Sequence, residues 1–238
     1  GQVLASEIDK TENMKVVAGV DKCVRDAQVD HKVYNNIFDC NDDIDVIIDF
    51  SHPNSLPNLL KYGTEKNIPL VICTTGLTEN DMNNIKMASK NIPIFYSANM
   101  SLGINILISI VKSISPILED GFDIEIVEKH HNKKIDAPSG TAYMIANSIN
   151  QVLNNSKEYI YDRHNATNAR DKNEIGIHSI RGGTIVGEHT VIFAGTDEVI
   201  EIKHSASSKK IFAQGAIKAA KFICSKENGL YNMENLIG

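Results

Sequence analysis

A chain of 238 residues suits one large or two modest domains and is long enough to bury a core. With 42% hydrophobic and 23% charged residues and no tryptophan, its composition is that of an ordinary globular protein. Its net charge of −6 supplies no general basic face, so neither nucleic acid nor an anionic membrane is expected as a partner.

In chain order, the first half alternates strands and helices. Residues 1–10 carry Val3, Leu4 and Ile8 at helical spacing, and residues 16–20 form a short buried strand that ends in Asp21. Residues 45–50 make a second strand, closed by Ser51, His52 and Pro53, and residues 54–66 a helix. Residues 68–73 are a third strand, followed by Thr74, Thr75 and Gly76; Thr78 then caps a helix running to about residue 90. A fourth strand covers residues 92–96. Continuous apolar strands alternating with amphipathic helices predict a doubly wound parallel sheet covered on both faces. Such sheets bind ligands at their carboxyl ends, where Asp21, Ser51, Thr74, Thr75 and Asn99 fall. The first half therefore reads as a Rossmann-type nucleotide-binding domain.

The pattern changes after Ser101. Residues 102–118 form a long apolar helix, residues 122–127 a strand, and residues 139–153 a second helix. Residues 154–174 are polar and loop-like. Residues 176–181, 189–194 and 199–204 alternate apolar and polar, as antiparallel strands with one wet face do. Ser207 is expected to cap a last helix over residues 210–224. The expected division is a dinucleotide-binding domain of residues 1–101 and 210–238, and a second, mixed-sheet α/β domain of residues 102–209.

The four cysteines, Cys23, Cys40, Cys73 and Cys224, form no CxxC pair. A disulfide framework or zinc site is not expected, and a reducing cytoplasm fits. No apolar run reaches the roughly 18 residues of a membrane span, and no leader is visible.

A dinucleotide domain opens with a strand and a G-x-G-x-x-G turn, which this sequence lacks. Gly1 nevertheless directly precedes a helix, and Asp21 ends the next strand at about the 20-residue spacing of the fingerprint's ribose-binding acid. The expectation is that Gly1 is the last glycine of that loop and that the opening strand lies upstream. The plainer reading has Asp21 simply ending a strand. Lys22 beside it suits a 2′-phosphate, so NADPH stays open, while an acid at Asp21 favours the free 2′-hydroxyl of NADH.

The stretch VEKHHNKKIDAPSGTA, residues 127–142, crowds titratable groups against a helix start. Ser139 is a good N-cap, and the backbone N–H groups of Gly140 and Thr141 at the helix start make an anion site with Lys134 as a second positive partner. His130 or His131 beside it supplies proton transfer near neutral pH. Together these fit a small carboxylate-bearing substrate with a proton donor or acceptor next to it. The bland alternative is a solvated loop, with Lys129 and Lys133 on its surface. Asp136 either partners a cation or fixes the loop before Pro138. A metal is disfavoured because the histidines are adjacent and no cysteine is near.

The run from Glu128 to Ala142, with two histidines, two intervening residues, a lysine and then Asp-Ala-Pro-Ser-Gly-Thr, resembles the bacterial 4-hydroxy-tetrahydrodipicolinate (dihydrodipicolinate) reductase family of the diaminopimelate and lysine pathway. Asp49-Phe-Ser51, Thr74-Thr-Gly76, Ser97-Ala-Asn99, the run from Ser179 to His189 and that from His204 to Ser208 agree with it. The resemblance implies an NADH- or NADPH-dependent reductase, delivering hydride to C4 of a cyclic unsaturated imine dicarboxylate. It implies His130 as acid/base, Lys134 as proton donor, and His131, Gly140 and Thr141 as substrate ligands. Asp21 and Lys22 would lie at the adenosine ribose. Cys73, Thr74, Thr75 and Ser97, Ala98, Asn99 and Met100 would line the nicotinamide side, Cys73 through its backbone. A homotetramer built by the second domain's one-sided sheet is also implied. Two rivals keep the nucleotide domain: a dehydrogenase acting on another small dicarboxylate or amino acid, and a regulator that senses nucleotide without chemistry.

Overall fold

The computed structural model describes residues 1–22 and 29–238; Cys23 lies outside the described residues. The chain divides into two compact units, residues 1–102 with 210–238, and residues 103–209.

In the first unit, α1 (Gln2–Ile8) precedes β1 (Ala18–Val20), which pairs in parallel with β2 (Lys32–Tyr34). β3 (Ile47–Asp49), β4 (Leu70–Ile72) and β5 (Pro93–Tyr96) follow, linked by α2 (Leu56–Lys66) and α3 (Glu79–Ala88). These strands lie in a four-stranded sheet ordered β11-β5-β4-β3, every pair parallel. The expected parallel sheet with helices is thus present. Thr78 caps α3 in a reciprocal capping box with Asp81, each side chain satisfying the other's backbone N–H. α2 stops at Asn67, whose left-handed φ of 54° lets its N–H return to the helix carbonyls.

In the second unit, α4 (Leu102–Leu118) leads to β6 (Asp123–His130), α5 (Gly140–Val152), β7 (Glu158–Ile160), β8 (Glu174–Arg181), β9 (Gly187–Ala194) and β10 (Val199–Ala206). The sheet is mixed and ordered β10-β9-β6-β8-β7. Ile124 and Ile126 of β6, Ile175 and Ile177 of β8, and Val191 and Phe193 of β9 bury one face. Leu107 and Val111 of α4 and Ala142, Ile145, Ala146 and Ile149 of α5 pack against them.

The chain then returns to the first unit as α6 (Lys210–Ile223), β11 (Gly229–Tyr231) and α7 (Met233–Ile237). Ala216, Ala219, Ala220 and Ile223 pack on Val71 and Phe95. Gly215 is needed there, because a Cβ on it would sit 1.7 Å from the Met100 carbonyl oxygen.

Four local expectations are corrected. β6 continues three residues past 127, because Glu128 and His130 stay on the buried side of the pleat while Lys129 faces out. The stretch expected to be loop contains β7, added in parallel to β8. β8 pairs in parallel with both neighbours, whereas β9 is antiparallel to both β6 and β10. Ser207 falls in the bend after β10, three residues before the first helical residue, and so is not the cap of α6.

Candidate active site

The end of β6 and the start of α5 carry the sequence-predicted chemistry, all within the second unit. Strand alternation puts Glu128 and His130 two residues apart on one face. On β8 and β9 their paired neighbours are Ser179, Arg181 and His189. α5 then begins at Gly140, capped by the Ser139 hydroxyl, which accepts the Ala142 N–H at 3.2 Å. Ala137-Pro138 is a cis peptide between the lysine-rich turn and this cap.

Glu128 is fully buried and its carboxylate is saturated. Arg181 grips it with two nitrogens, Nη1 at 2.8 Å and Nη2 at 2.7 Å, in the bidentate fork that suits guanidinium and carboxylate. The Ser139 backbone N–H donates to Oε1 at 3.1 Å, and His130 Nδ1 lies 2.6 Å from Oε2. Burial works against this charge, but the Arg181 guanidinium, His130 and Ser179 outweigh it and hold the carboxyl down at about 2. The group is therefore ionised across ordinary pH and can only accept, so the proton on this contact belongs to His130 Nδ1. His130 Nε2 makes no hydrogen bond among the described residues. It borders Gly187, where an added Cβ would come within 3.1 Å.

His189 is the second buried imidazole. Its Nε2 is 3.1 Å from the Ser139 hydroxyl and its ring meets His130 edge to face at 5.3 Å. Its Nδ1 is buried with no partner among the described residues. Burial, reinforced by His130, pushes its pKa down to about 4, which makes it a neutral ring at working pH.

Further charged groups lie on the turn between β6 and α5. Lys134 is half-buried and its ammonium is 2.8 Å from Asp136 Oδ1. The Asp136 carbonyl accepts from Arg181 Nη2 at 2.6 Å, so Asp136 partners a cation and fixes the loop before Pro138 at once. Lys134 holds its carboxyl below the usual range. His131 and Thr141 are half-buried and Gly140 is exposed at the first turn of α5. Nothing lies within 4 Å of where a Gly140 Cβ would point. Lys129 has a partner on the outer face of the sheet, Glu188 at 3.6 Å. Lys133 is exposed.

The nucleotide-side candidates lie in the first unit. Asp21 follows β1, its N–H bonded to the Tyr34 carbonyl, and Lys22 is exposed beside it. Gly1 is the N-cap residue of α1. Cys73, Thr74 and Thr75 leave the end of β4, and Ser97, Ala98, Asn99 and Met100 leave the end of its neighbour β5. Thr74 donates to Asp49 Oδ2 at 2.7 Å, and the second turn is braced from Ser97 Oγ to the Asn99 carbonyl at 2.8 Å. Thr75 and Ala98 are exposed. The Cys73 and Met100 side chains are packed in the core, and burial drives the Cys73 thiol pKa up. Only their backbones are left to meet a ligand.

Glu128, Arg181 and His189 take places in this site that their local sequence does not assign. The spacing of Glu128 and His130 was the available signal, since i and i+2 share a strand face. Arg181 and His189 come from other strands, and only pairing brings them together.

Comparison with known proteins places the chain in a family. Family models described as dihydrodipicolinate reductase, N-terminus and C-terminus, match residues 1–100 and 103–237. The 4-hydroxy-tetrahydrodipicolinate reductase of Caldanaerobacter subterraneus subsp. tengcongensis is 55% identical over 237 residues, covering 100% of this chain and 93% of that protein. The protein of the same name from Clostridium tetani is 50% identical over 237 residues, covering 100% of this chain and 92% of that one. In fold, the chain is similar to a dipicolinate-bound dihydrodipicolinate reductase from Paenisporosarcina sp. TG-14, with a TM-score of 0.81 at 23% identity over 98% of this chain and 92% of that one. The chain belongs to the dihydrodipicolinate reductase family.

Proposed function

We propose that this chain reduces 4-hydroxy-tetrahydrodipicolinate to tetrahydrodipicolinate with NADH or NADPH, as a step of lysine and diaminopimelate biosynthesis. The observation that carries the reading is the union, in one family member, of a strand-end histidine whose Nε2 has no partner among the described residues and an open, cationic helix start beside it. The carboxyl ends of β1, β4 and β5 fit a dinucleotide: they offer the exposed Asp21, Thr75 and Ala98 and turns braced by Thr74 and Ser97. A bound nicotinamide nucleotide supplies the hydride that goes to C4 of the unsaturated ring. Asp21 favours NADH through the ribose hydroxyls, while Lys22 leaves room for the 2′-phosphate of NADPH.

The chain's own groups hold the dicarboxylate and manage the proton. One carboxylate sits on the N–H groups of Gly140 and Thr141 and beside His131, where the helix start favours an anion. The other draws Lys134 away from Asp136. Loss of the C4 hydroxyl as water, with a hydrogen from C5, leaves a C4=C5 bond conjugated to the ring C=N. Hydride addition at C4 then pushes the ring electrons toward nitrogen, and His130 Nε2 or Lys134 returns a proton to C5. Fixed contacts of this kind lower the barrier by orienting the ring and by meeting charge where it develops.

The same reading takes the second unit as the assembly domain of a homotetramer in the cytoplasm. Helices cover one face of its sheet, and the other face leaves Ile180 and Val199 exposed. Cys40, Cys73 and Cys224 are free thiols, and no helix among the described residues is long and apolar enough to cross a membrane.

The test is nucleotide oxidation, with NADH and NADPH in parallel, when freshly made 4-hydroxy-tetrahydrodipicolinate is added. Substrate-dependent oxidation that collapses in His130→Ala is the expected result. Nucleotide binding without oxidation would favour a sensor instead, and turnover of amino acids alone would favour an amino-acid dehydrogenase.

A further inference from the structure

We infer that Glu128 is a positioning residue for the reaction: it fixes which nitrogen of His130 faces the substrate and ties that imidazole rigidly to the anion-binding start of α5. The inference rests on the functional reading above.

Three contacts meet on this one carboxylate. Oε2 takes the His130 Nδ1 proton at 2.6 Å, and Oε1 takes the backbone N–H of Ser139, the N-cap of α5, at 3.1 Å. Arg181 spans both oxygens and continues to the Asp136 carbonyl, next to the Lys134 partner. Proton donor, carboxylate cradle and lysine turn thus share a single buried anchor.

The chemistry of the anchor sets the tautomer. An ionised carboxylate cannot donate, so a neutral His130 must carry its hydrogen on Nδ1 and present Nε2 as the lone-pair nitrogen. When His130 gains a second proton, that proton resides on Nε2, the atom without a partner among the described residues, and can be handed on. Glutamine at position 128 has nearly the same shape but can also offer an N–H to Nδ1, which turns the ring to the opposite tautomer. Arg181 is needed because a buried carboxylate left unpaired is strongly destabilising. Gly187 keeps space open at Nε2, since a Cβ there would stand 3.1 Å from it.

A purely structural pin makes a different prediction. It would lower stability when replaced, but leave turnover per folded molecule and the His130 tautomer unchanged.

The experiment has two arms on the full-length chain. First, long-range 15N–1H correlation of the histidine rings of the unmodified protein at alkaline pH is expected to show neutral His130 protonated on Nδ1. Second, Glu128→Gln is expected to lower kcat on the order of 10²-fold, the usual worth of a positioned proton-transfer group. Its nucleotide dissociation constant should stay unchanged, and its His130 should lose the single Nδ1–H form. An Nε2–H tautomer in the unmodified protein would overturn the inference, as would E128Q turnover within about threefold of normal. If E128Q does not fold, the first arm decides alone. If the unmodified chain fails to reduce the substrate, the functional reading falls, yet the tautomer still reports whether Glu128 holds the ring.

Discussion

Acidification should destabilise the second unit through His189, and the size of the effect follows from its surroundings. The ring is buried, and its folded-state value of about 4 lies well below the ordinary 6.5. Between those values the unfolded chain binds a proton that the folded chain refuses, so stability falls as the pH drops from about 6.5 toward 4 and levels off below. At about 1.36 kcal/mol per pH unit separating the two values the whole window is worth about 3 kcal/mol, of which about 2 is felt between roughly pH 7 and pH 4.5. Glu128 acts in a separate, lower window. Its contribution is full above the ordinary 4.5 and is lost only as the pH falls toward about 2. His204, also pushed down by burial, adds to His189 with the same sign. Urea denaturation followed by circular dichroism at the two pH values measures the slope. His189→Gln keeps a donor near the Ser139 hydroxyl without a titrating ring and should reduce the loss by about 2 kcal/mol, leaving the His204 share. An unchanged acid slope in that variant, or an NMR titration of His189 near 6.5, would show that His189 is not the group behind the acid sensitivity.

Three further outcomes are expected. Lys134→Ala should lower kcat by roughly 10²-fold while nucleotide binding, read by fluorescence, stays intact; near-normal turnover would remove Lys134 from the proton path. Ser139→Ala deletes the α5 cap, worth about 1 kcal/mol, and strands His189 Nε2, at a cost of about 1–3 kcal/mol. Its urea midpoint should therefore report a loss of about 3 kcal/mol, and less than about 1 would show that the cap and His189 are not coupled as described. Gly215→Ala tests close packing of α6: helix propensity alone predicts a gain of about 1 kcal/mol, whereas the 1.7 Å approach to the Met100 carbonyl predicts a loss of about 2, from overpacking against backbone.

The parallel sheet was legible because β4 and β5 are short, wholly apolar runs and because α3 announces itself with Thr78 and Asp81. The anion-binding helix start was legible from Ser139, Gly140 and Thr141, local residues whose chemistry needs no partner. What escaped the sequence depends on contacts between distant segments. The run after residue 127 looked like a loop because polar residues occupy the buried face of β6, and they are tolerated there only because Arg181 and the Ser139 N–H satisfy Glu128. β7 and β11 are three-residue strands, too short to show a period, and each exists by pairing with a longer neighbour. The parallel pairing of β6 with β8 is likewise a matter of topology, since the same alternation serves parallel and antiparallel neighbours.

In the proposed reaction a nicotinamide nucleotide gives its hydride to C4 of a dicarboxylate held by the second unit. The direct measurement uses NADH deuterated at the nicotinamide C4, on each face in turn, with 4-hydroxy-tetrahydrodipicolinate and the intact chain, followed by NMR of the product. One deuteron is expected at ring C4 from one of the two labelled nucleotides, with deuterium from heavy water entering only at the neighbouring carbon. Product without nucleotide-derived deuterium, or no nucleotide oxidised at all, would contradict it.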